Sequence, residues 1–153
     1  MPKLNFRAMT VSDLEQIHRI EQSSAEHPWK KSHFADSIKS GYFCCIAERR
    51  GKPVGHTVVM TVANEASLLI LTVDKQHQRQ GIGRQLLRHL ISTVQLKGCD
   101  TFLLEVRQSN ARAFQLYLEE GFCEIEVRKK YYPMGNTRED AIVMAMDLDS
   151  HHH

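Results

Sequence analysis

Between Leu68 and Val94 an apolar run stops at an acid, a polar loop with two glycines follows, and a periodic helix comes next. This order constrains the chain more than any other feature. Leu68–Val73 reads as a strand that ends at Asp74. Ile82, Leu86, Leu87, Leu90, Ile91 and Val94 recur at helical spacing, and Lys97-Gly98 closes the helix. Gly81 and Gly83 bracket its start, where glycine lets a backbone turn sharply and approach a ligand. Unpaired N–H groups and the positive end of the helix dipole make an anion site there, and Arg79 and Arg84 add charge. The stretch is therefore either a phosphate cradle or a plain strand-loop-helix turn. A P-loop is excluded, because Gly-x-x-x-x-Gly-Lys-Ser/Thr is absent. A dinucleotide fingerprint needs a third glycine and an acid about 20 positions on. Glu105 has that spacing but sits inside a later strand.

The 153 residues predict one domain over 1–148, with 149–153 a tail whose His151–His153 reads as a tag remnant. A formal charge of +2 gives no argument for a nucleic-acid partner. There is no apolar run long enough for a membrane span, and Met1–Asn5 lacks the apolar core of a signal peptide. Cys44, Cys45, Cys99 and Cys123 form no Cys-x-x-Cys pair, so buried thiols in a reducing cytoplasm are expected and no metal site.

Leu4, Phe6 and Ala8 alternate with polar residues, as in a half-buried strand. Thr10 and Asp13 offer a capping box, after which Val11, Leu14, Ile17 and Ile20 share a helical stripe. His27-Pro28-Trp29 breaks that helix. Ser32 can cap a second one reaching Ser40, with Phe34 and Ile38 inward and Gly41 at its end. Tyr42–Ala47, His56–Val62 and Ser67–Val73 are strand-like, and an antiparallel meander joins them most simply. Arg49–Pro53 is a tight turn. After the long helix, Thr101–Val106 is a strand parallel to the one before the glycine loop. Asn110 caps a helix over Ala111–Glu120 with Phe114, Tyr117 and Leu118 on one face. Phe122–Val127 is a strand, Arg128–Pro133 leads into a loop, and Ala141–Leu148 is the last strand.

Three positions carry chemistry. Glu105 is an acid in the apolar strand Phe102–Val106. Either it is buried or faces a cleft, where burial would raise its proton affinity as a general base needs, or it points to solvent beside Arg107 or a neighbour. Tyr117 is a core tyrosine or a proton donor. Trp29, the single tryptophan, is a core or lid anchor or a wall of an acceptor site.

Gln78-Arg79-Gln80-Gly81-Ile82-Gly83 resembles the Gln/Arg-x-x-Gly-x-Gly/Ala signature of the GNAT superfamily of N-acetyltransferases. Leu104–Arg107, Asn110, Ala113–Tyr117 and Gly121-Phe122 look like the rest of that pattern, which covers positions 68 to 123. His27–Trp29, Arg128–Pro133 and Arg138–Ile142 are most similar to the RimI-type branch, whose members acetylate the N-terminal alanine of a ribosomal small-subunit protein. Thr72 departs from the family, standing where a small apolar residue is common, and Leu4–Ala8 is also written differently.

The resemblance implies an α/β (α+β) GNAT fold, a mixed and mostly antiparallel sheet of about seven strands with about four helices. It implies acetyl-CoA as co-substrate, no metal, a cytoplasmic setting and a ribosomal protein's N-terminus as partner. It assigns the pantetheine arm to Leu71, Thr72 and Val73, with the Val73 N–H polarising the thioester carbonyl. Amides from Arg79, Gln80, Gly81, Ile82, Gly83 and Arg84 would hold the pyrophosphate, and Asn110 the pantetheine end. Glu105 would take the acceptor's proton and Tyr117 would protonate or hydrogen-bond the leaving thiolate, by direct attack in a ternary complex. Trp29, Tyr131 and Tyr132 would flank the acceptor.

An α-amine has a pKa near about 8 and a lysine amine near about 10.4, so an N-terminal acceptor asks less of the base. A small amine, a lysine or mere acetyl-CoA binding without turnover are the competing readings, and oligomeric state stays open.

Overall fold

The computed structural model describes residues 3–149, so the expected tag remnant lies outside the described residues. The elements run β1 Leu4–Ala8, α1 Leu14–Ser24, α2 Lys31–Lys39, β2 Phe43–Arg49, β3 Lys52–Val62 and β4 Glu65–Val73. Then come α3 Ile82–Leu96, β5 Thr101–Arg107, α4 Ala111–Glu119, β6 Cys123–Met134 and β7 Thr137–Asp147. Short 3-10 turns precede α1 at Val11–Asp13 and follow β4 at Lys75–His77. The seven strands are ordered β1-β2-β3-β4-β5-β7-β6. β4 and β5 pair in parallel over Glu65–Leu68 against Thr101–Leu104, with α3 as the crossover the sequence predicts. The pairs β1–β2, β2–β3, β5–β7 and β6–β7 are antiparallel. Among the described residues, the mixed sheet of seven strands with four α-helices agrees with the expected fold class.

The chain divides into two compact units, one from Met1–Thr61 and Leu69–His89, the other from Val62–Leu68 and Leu90–His153. In the first, Leu14, Ile17, Phe34, Ile46 and Val58 make one apolar cluster. Leu4, Cys45, Ala47, Val54, Ile82 and Leu86 make another. Arg50 and Gly51, both at positive φ, form the β2–β3 turn, the backbone a two-residue hairpin of the mirror-image type demands. In the second unit, Phe102 packs on Phe122 at a ring separation of 5.5 Å. Leu90, Val94, Met144, Met146 and Leu148 are buried there too.

Several expectations need correction. Val11 is exposed rather than part of the inward stripe, because the 3-10 turn ahead of α1 rotates it away. The capping bond itself is present, with the Thr10 N–H donating to Asp13 Oδ2 at 2.8 Å. α2 starts at Lys31, not after Ser32, because His33 Nδ1 accepts from the Lys30 N–H and caps it earlier. Leu118 is exposed, since the buried position of α4 is Tyr117. Cys123 is exposed while the other three cysteines are buried. Most consequentially, β6 does not give way to a loop after Val127. It continues to Met134, with register shifts between Arg128 and Tyr132 and positive φ at Lys130. Pro133 misleads as a breaker, because β6 ends the strand order and an edge strand tolerates proline.

Asp13 also ties the start of α1 to β1. Arg7 donates to both its carboxylate oxygens at 2.9 and 2.8 Å and to Glu48 at 2.9 Å. The bond from Arg7 holds the Asp13 carboxyl down at about 2, with help from Thr10 against partial burial. A folded value below the unfolded one means that this contribution is present above about pH 4 and is lost as pH falls toward about 2. Asp13→Asn is therefore expected to lower the denaturation midpoint at neutral pH. The gap to the parent should close on acidification, as urea melts at several pH values would show.

Candidate functional site

In the first unit, the end of β4 leads into the glycine loop. The Asp74 N–H donates to Val54 O at 2.8 Å, and the Asp74 carboxylate faces His77 Nδ1 at 3.1 Å. Gln78 Nε2 donates to Val73 O at 3.2 Å. Arg49 reaches from the end of β2 to Gln80 Oε1 at 2.7 Å, bracing the loop. Arg79 at φ 64° and Gly81 at φ 80° take left-handed backbone immediately before α3. Ile82 is buried among Leu86, Val54 and Cys45 and pins the first turn of α3 down. The amides that open a helix have no intrahelical acceptor, so those of Ile82, Gly83 and Arg84 present the positive end of α3. A phosphate group suits that backbone.

Leu71 and Val73 pack toward the cluster under α3, whereas Thr72 points to the opposite face of β4 and is buried. Thr72 therefore contributes main chain only to anything lying along β4. Leu69–Val73 continue beyond the stretch of β4 registered with β5.

Trp29 lies in the connection from α1 to α2. Its ring packs at 5.0 Å from Phe34 and 5.6 Å from His33, and the main-chain N–H of Trp29 donates to Glu21 Oε2 at 3.0 Å. It is a half-buried anchor in that unit.

The second unit gathers Glu105, Tyr117, Tyr131 and Tyr132. Glu105 on β5 stands opposite Val143 of β7, with about a third of its side chain exposed (32%). Its ion-pair partner is Arg128 at 3.2 Å, not Arg107. Arg107 instead bonds Glu139 at 3.0 Å and lies 4.3 Å over the Tyr132 ring. Tyr131 and Tyr132 meet edge to face at 5.1 Å, on a strand rather than in a loop. Tyr117 is buried on α4 with its ring edge-on to Phe122 at 5.8 Å. Burial, and then the neighbouring Tyr132, push its hydroxyl up to about 12. Burial followed by Glu105 does the same to Tyr132. Asn110 caps α4 with Oδ1, which accepts from the Ala113 N–H at 3.2 Å and leaves the side-chain amide as its donor.

This unit thus holds a carboxylate paired with Arg128, a buried phenol with raised proton affinity and two further tyrosine rings. The first unit supplies a glycine loop at the positive end of α3 and the main chain of β4. Among the described residues no cluster of His, Cys, Asp or Glu is placed to hold a metal.

The sequence reading missed Glu21 and His56, which are wholly buried and bonded at 2.8 Å. The available signal was Leu14, Ile17 and Glu21 at i, i+3 and i+7 on one face of α1. It also missed the Arg49 brace, for which spacing carries no signal.

The family model described as the acetyltransferase (GNAT) family matches residues 14–122. The "[Ribosomal protein bS18]-alanine N-acetyltransferase" of Escherichia coli (strain K12) is 39% identical over 141 residues, covering 92% of this chain and 95% of its own. That of Salmonella typhimurium is 36% identical over 140 residues, with the same coverage of 92% and 95%. The crystal structure of the ribosomal-protein-S18-alanine N-acetyltransferase from Escherichia coli superposes with a TM-score of 0.90 at 38% identity, covering 95% of this chain and 94% of that one.

Proposed function

The chain belongs to the acetyltransferase (GNAT) family as an acetyl-CoA-dependent N-acetyltransferase, and on that premise we propose how it works and on what. The acceptor is the N-terminal alanine of ribosomal protein bS18. The observation that carries this is likeness over nearly the whole chain, 39% identity across 92% of it, to an enzyme named for that acceptor. Action on a ribosomal protein places the enzyme in the cytoplasm. No described helix is long and apolar enough to cross a membrane. Residues 1–148 are taken as one catalytic domain.

In this reading the amides from Arg79 to Arg84 hold the pyrophosphate of acetyl-CoA. Backbone groups of Leu71, Thr72 and Val73 hold the pantetheine arm as an added strand would be held, and the amide of Asn110 reaches its far end. Acetyl-CoA supplies a thioester whose carbon accepts the amine. The Val73 N–H stabilises the oxygen that gains charge. Glu105 takes the ammonium proton, directly or through water, and Tyr117 donates to the departing sulfur. Trp29, Tyr131 and Tyr132 line the acceptor's path. The amine attacks directly, so no acyl-enzyme forms. Burial pushes the Cys44 and Cys45 thiols up to about 11, which leaves them unreactive.

Gly81 tests the cradle separately from the chemistry. Its φ of 80° is strained for any other residue, although a Cβ there would meet nothing within 4 Å. Gly81→Ala is expected to cost about 1 kcal/mol of stability and to raise the KM for acetyl-CoA several-fold while sparing the peptide KM.

The reading itself is tested by turnover of acetyl-CoA on a peptide with the N-terminal sequence of bS18, beside the same peptide with its α-amine blocked. Mass spectrometry then places the acetyl group. Acetylation confined to the free α-amine is the expected result. Equal turnover on both peptides, or on neither, overturns the acceptor assignment.

A further inference from the structure

Glu21 is a carboxylate with no exposed surface, set inward from α1 on the face that buries Leu14 and Ile17. Such a group is costly to bury unless every oxygen finds a donor. Here three donors come from three separate segments. His56 Nε2 on β3 and Thr72 Oγ1 on β4 each lie 2.8 Å from Oε1, and the Trp29 N–H lies 3.0 Å from Oε2. Burial works against the charged form, but the bonds from His56, the Trp29 amide and Thr72 outweigh it and hold the carboxyl below its ordinary range. His56 Nδ1 has no partner among the described residues. An Nε2–H imidazole leaves only a lone pair unmet there, whereas an imidazolium would strand a buried N–H.

Replacing the members of a buried hydrogen-bonded set by apolar groups of the same shape can be nearly neutral or stabilising. Filling the core therefore does not explain this carboxylate. What a hydrophobe could not do is join these segments. Thr72 lies between Leu71 and Val73, and alternation puts its side chain on the face opposite theirs. Fixing the Thr72 hydroxyl from behind fixes the rotation of that part of β4. The same carboxylate fixes the main chain at Trp29, whose ring shares Phe34 with the edge of His56.

We propose that Glu21 is a positioning residue for acyl transfer, one buried carboxylate that registers the strand carrying the acyl-arm contacts, through Thr72, against the Trp29 segment on the acceptor side. This rests on the site reading above, and it gives the buried Thr72 hydroxyl a role. Glu21 touches no substrate. Its effect runs entirely through Thr72 and Trp29.

The test compares the parent with Glu21→Gln, Thr72→Val and Thr72→Ser in the full chain. A glutamine has one acceptor atom for three donors, so at least one segment is released or reverses the sense of its bond. Trp29 is the only tryptophan, so its emission reports that segment without any need for turnover. Glu21→Gln is expected to red-shift the emission and to raise the peptide KM about tenfold, the scale on which small misplacements act. Thr72→Val is expected to lower kcat about tenfold with the peptide KM little changed, and Thr72→Ser to restore it by keeping the hydroxyl. A Glu21→Gln protein with lower thermal stability but unchanged emission and unchanged peptide KM overturns the proposal. So does a Thr72→Ser protein no better than Thr72→Val. If the parent acetylates no peptide, the acceptor reading fails by itself, and the emission of Glu21→Gln still decides whether the carboxylate holds Trp29.

Discussion

Glu105→Gln is expected to reduce kcat on the bS18 peptide by about 10²–10⁴-fold, the usual contribution of a positioned proton acceptor. The substitution keeps the shape of the side chain and an oxygen for Arg128, 3.2 Å away, so the strand and its ion-pair partner should stay in place. Only the ability to take a proton is lost. An α-ammonium near pKa 8 loses that proton to water as pH rises from about 7 to about 9. The deficit of the variant should therefore narrow over that interval. Coenzyme A binding, followed by calorimetry, should be unchanged. A variant within about threefold of the parent at neutral pH would remove Glu105 from the role of base.

Tyr117→Phe should cost about 10²-fold in kcat, in the range found when one donor to a developing anion is removed. Burial holds the hydroxyl up at about 12, so it is neutral and able to donate at neutral pH. An ordinary thiol titrates near about 8.5, so full proton transfer from such a phenol to a thiolate is uphill. A hydrogen bond to the leaving sulfur is the favoured contribution. No alkaline limb of the rate profile below about pH 11 should then belong to Tyr117, and any such limb should survive in the phenylalanine variant. Stability gives a second readout. A folded value raised above the unfolded one is a contribution present below about pH 10 and lost as pH rises through about 12. Tyr117→Phe should blunt that alkaline loss in denaturation measurements. If kcat is unchanged, Tyr117 is a core tyrosine, held by Phe122 and nothing more.

The distinction between what was legible and what was not follows the range of the interactions. The strand ending at Asp74, the glycine loop and α3 were legible because each is written in neighbouring residues. Ile82, Leu86, Leu87, Leu90 and Val94 are buried on one face, as their spacing says. The Asn110 cap and the placement of Glu105 on a strand and Tyr117 on a helix follow from equally local signals. By themselves these residues set out the family's elements in their order, and with them the candidate donor and proton-transfer groups.

Which groups those residues meet was decided only in three dimensions. Glu105 pairs with Arg128, 23 positions on, because β6 runs on past Val127 as an edge strand where proline is tolerated. Glu21 accepts from Thr72 across 51 positions and from His56 across 35. Local spacing marks Glu21 as inward on α1, but nothing in the sequence says which donors will be there. A hydrogen bond depends on atoms brought within about 3 Å by the packing of distant segments, whereas periodicity depends on the geometry of one segment alone. The sequence therefore determined the elements and the family, and the tertiary structure alone decided the partners that tune each group.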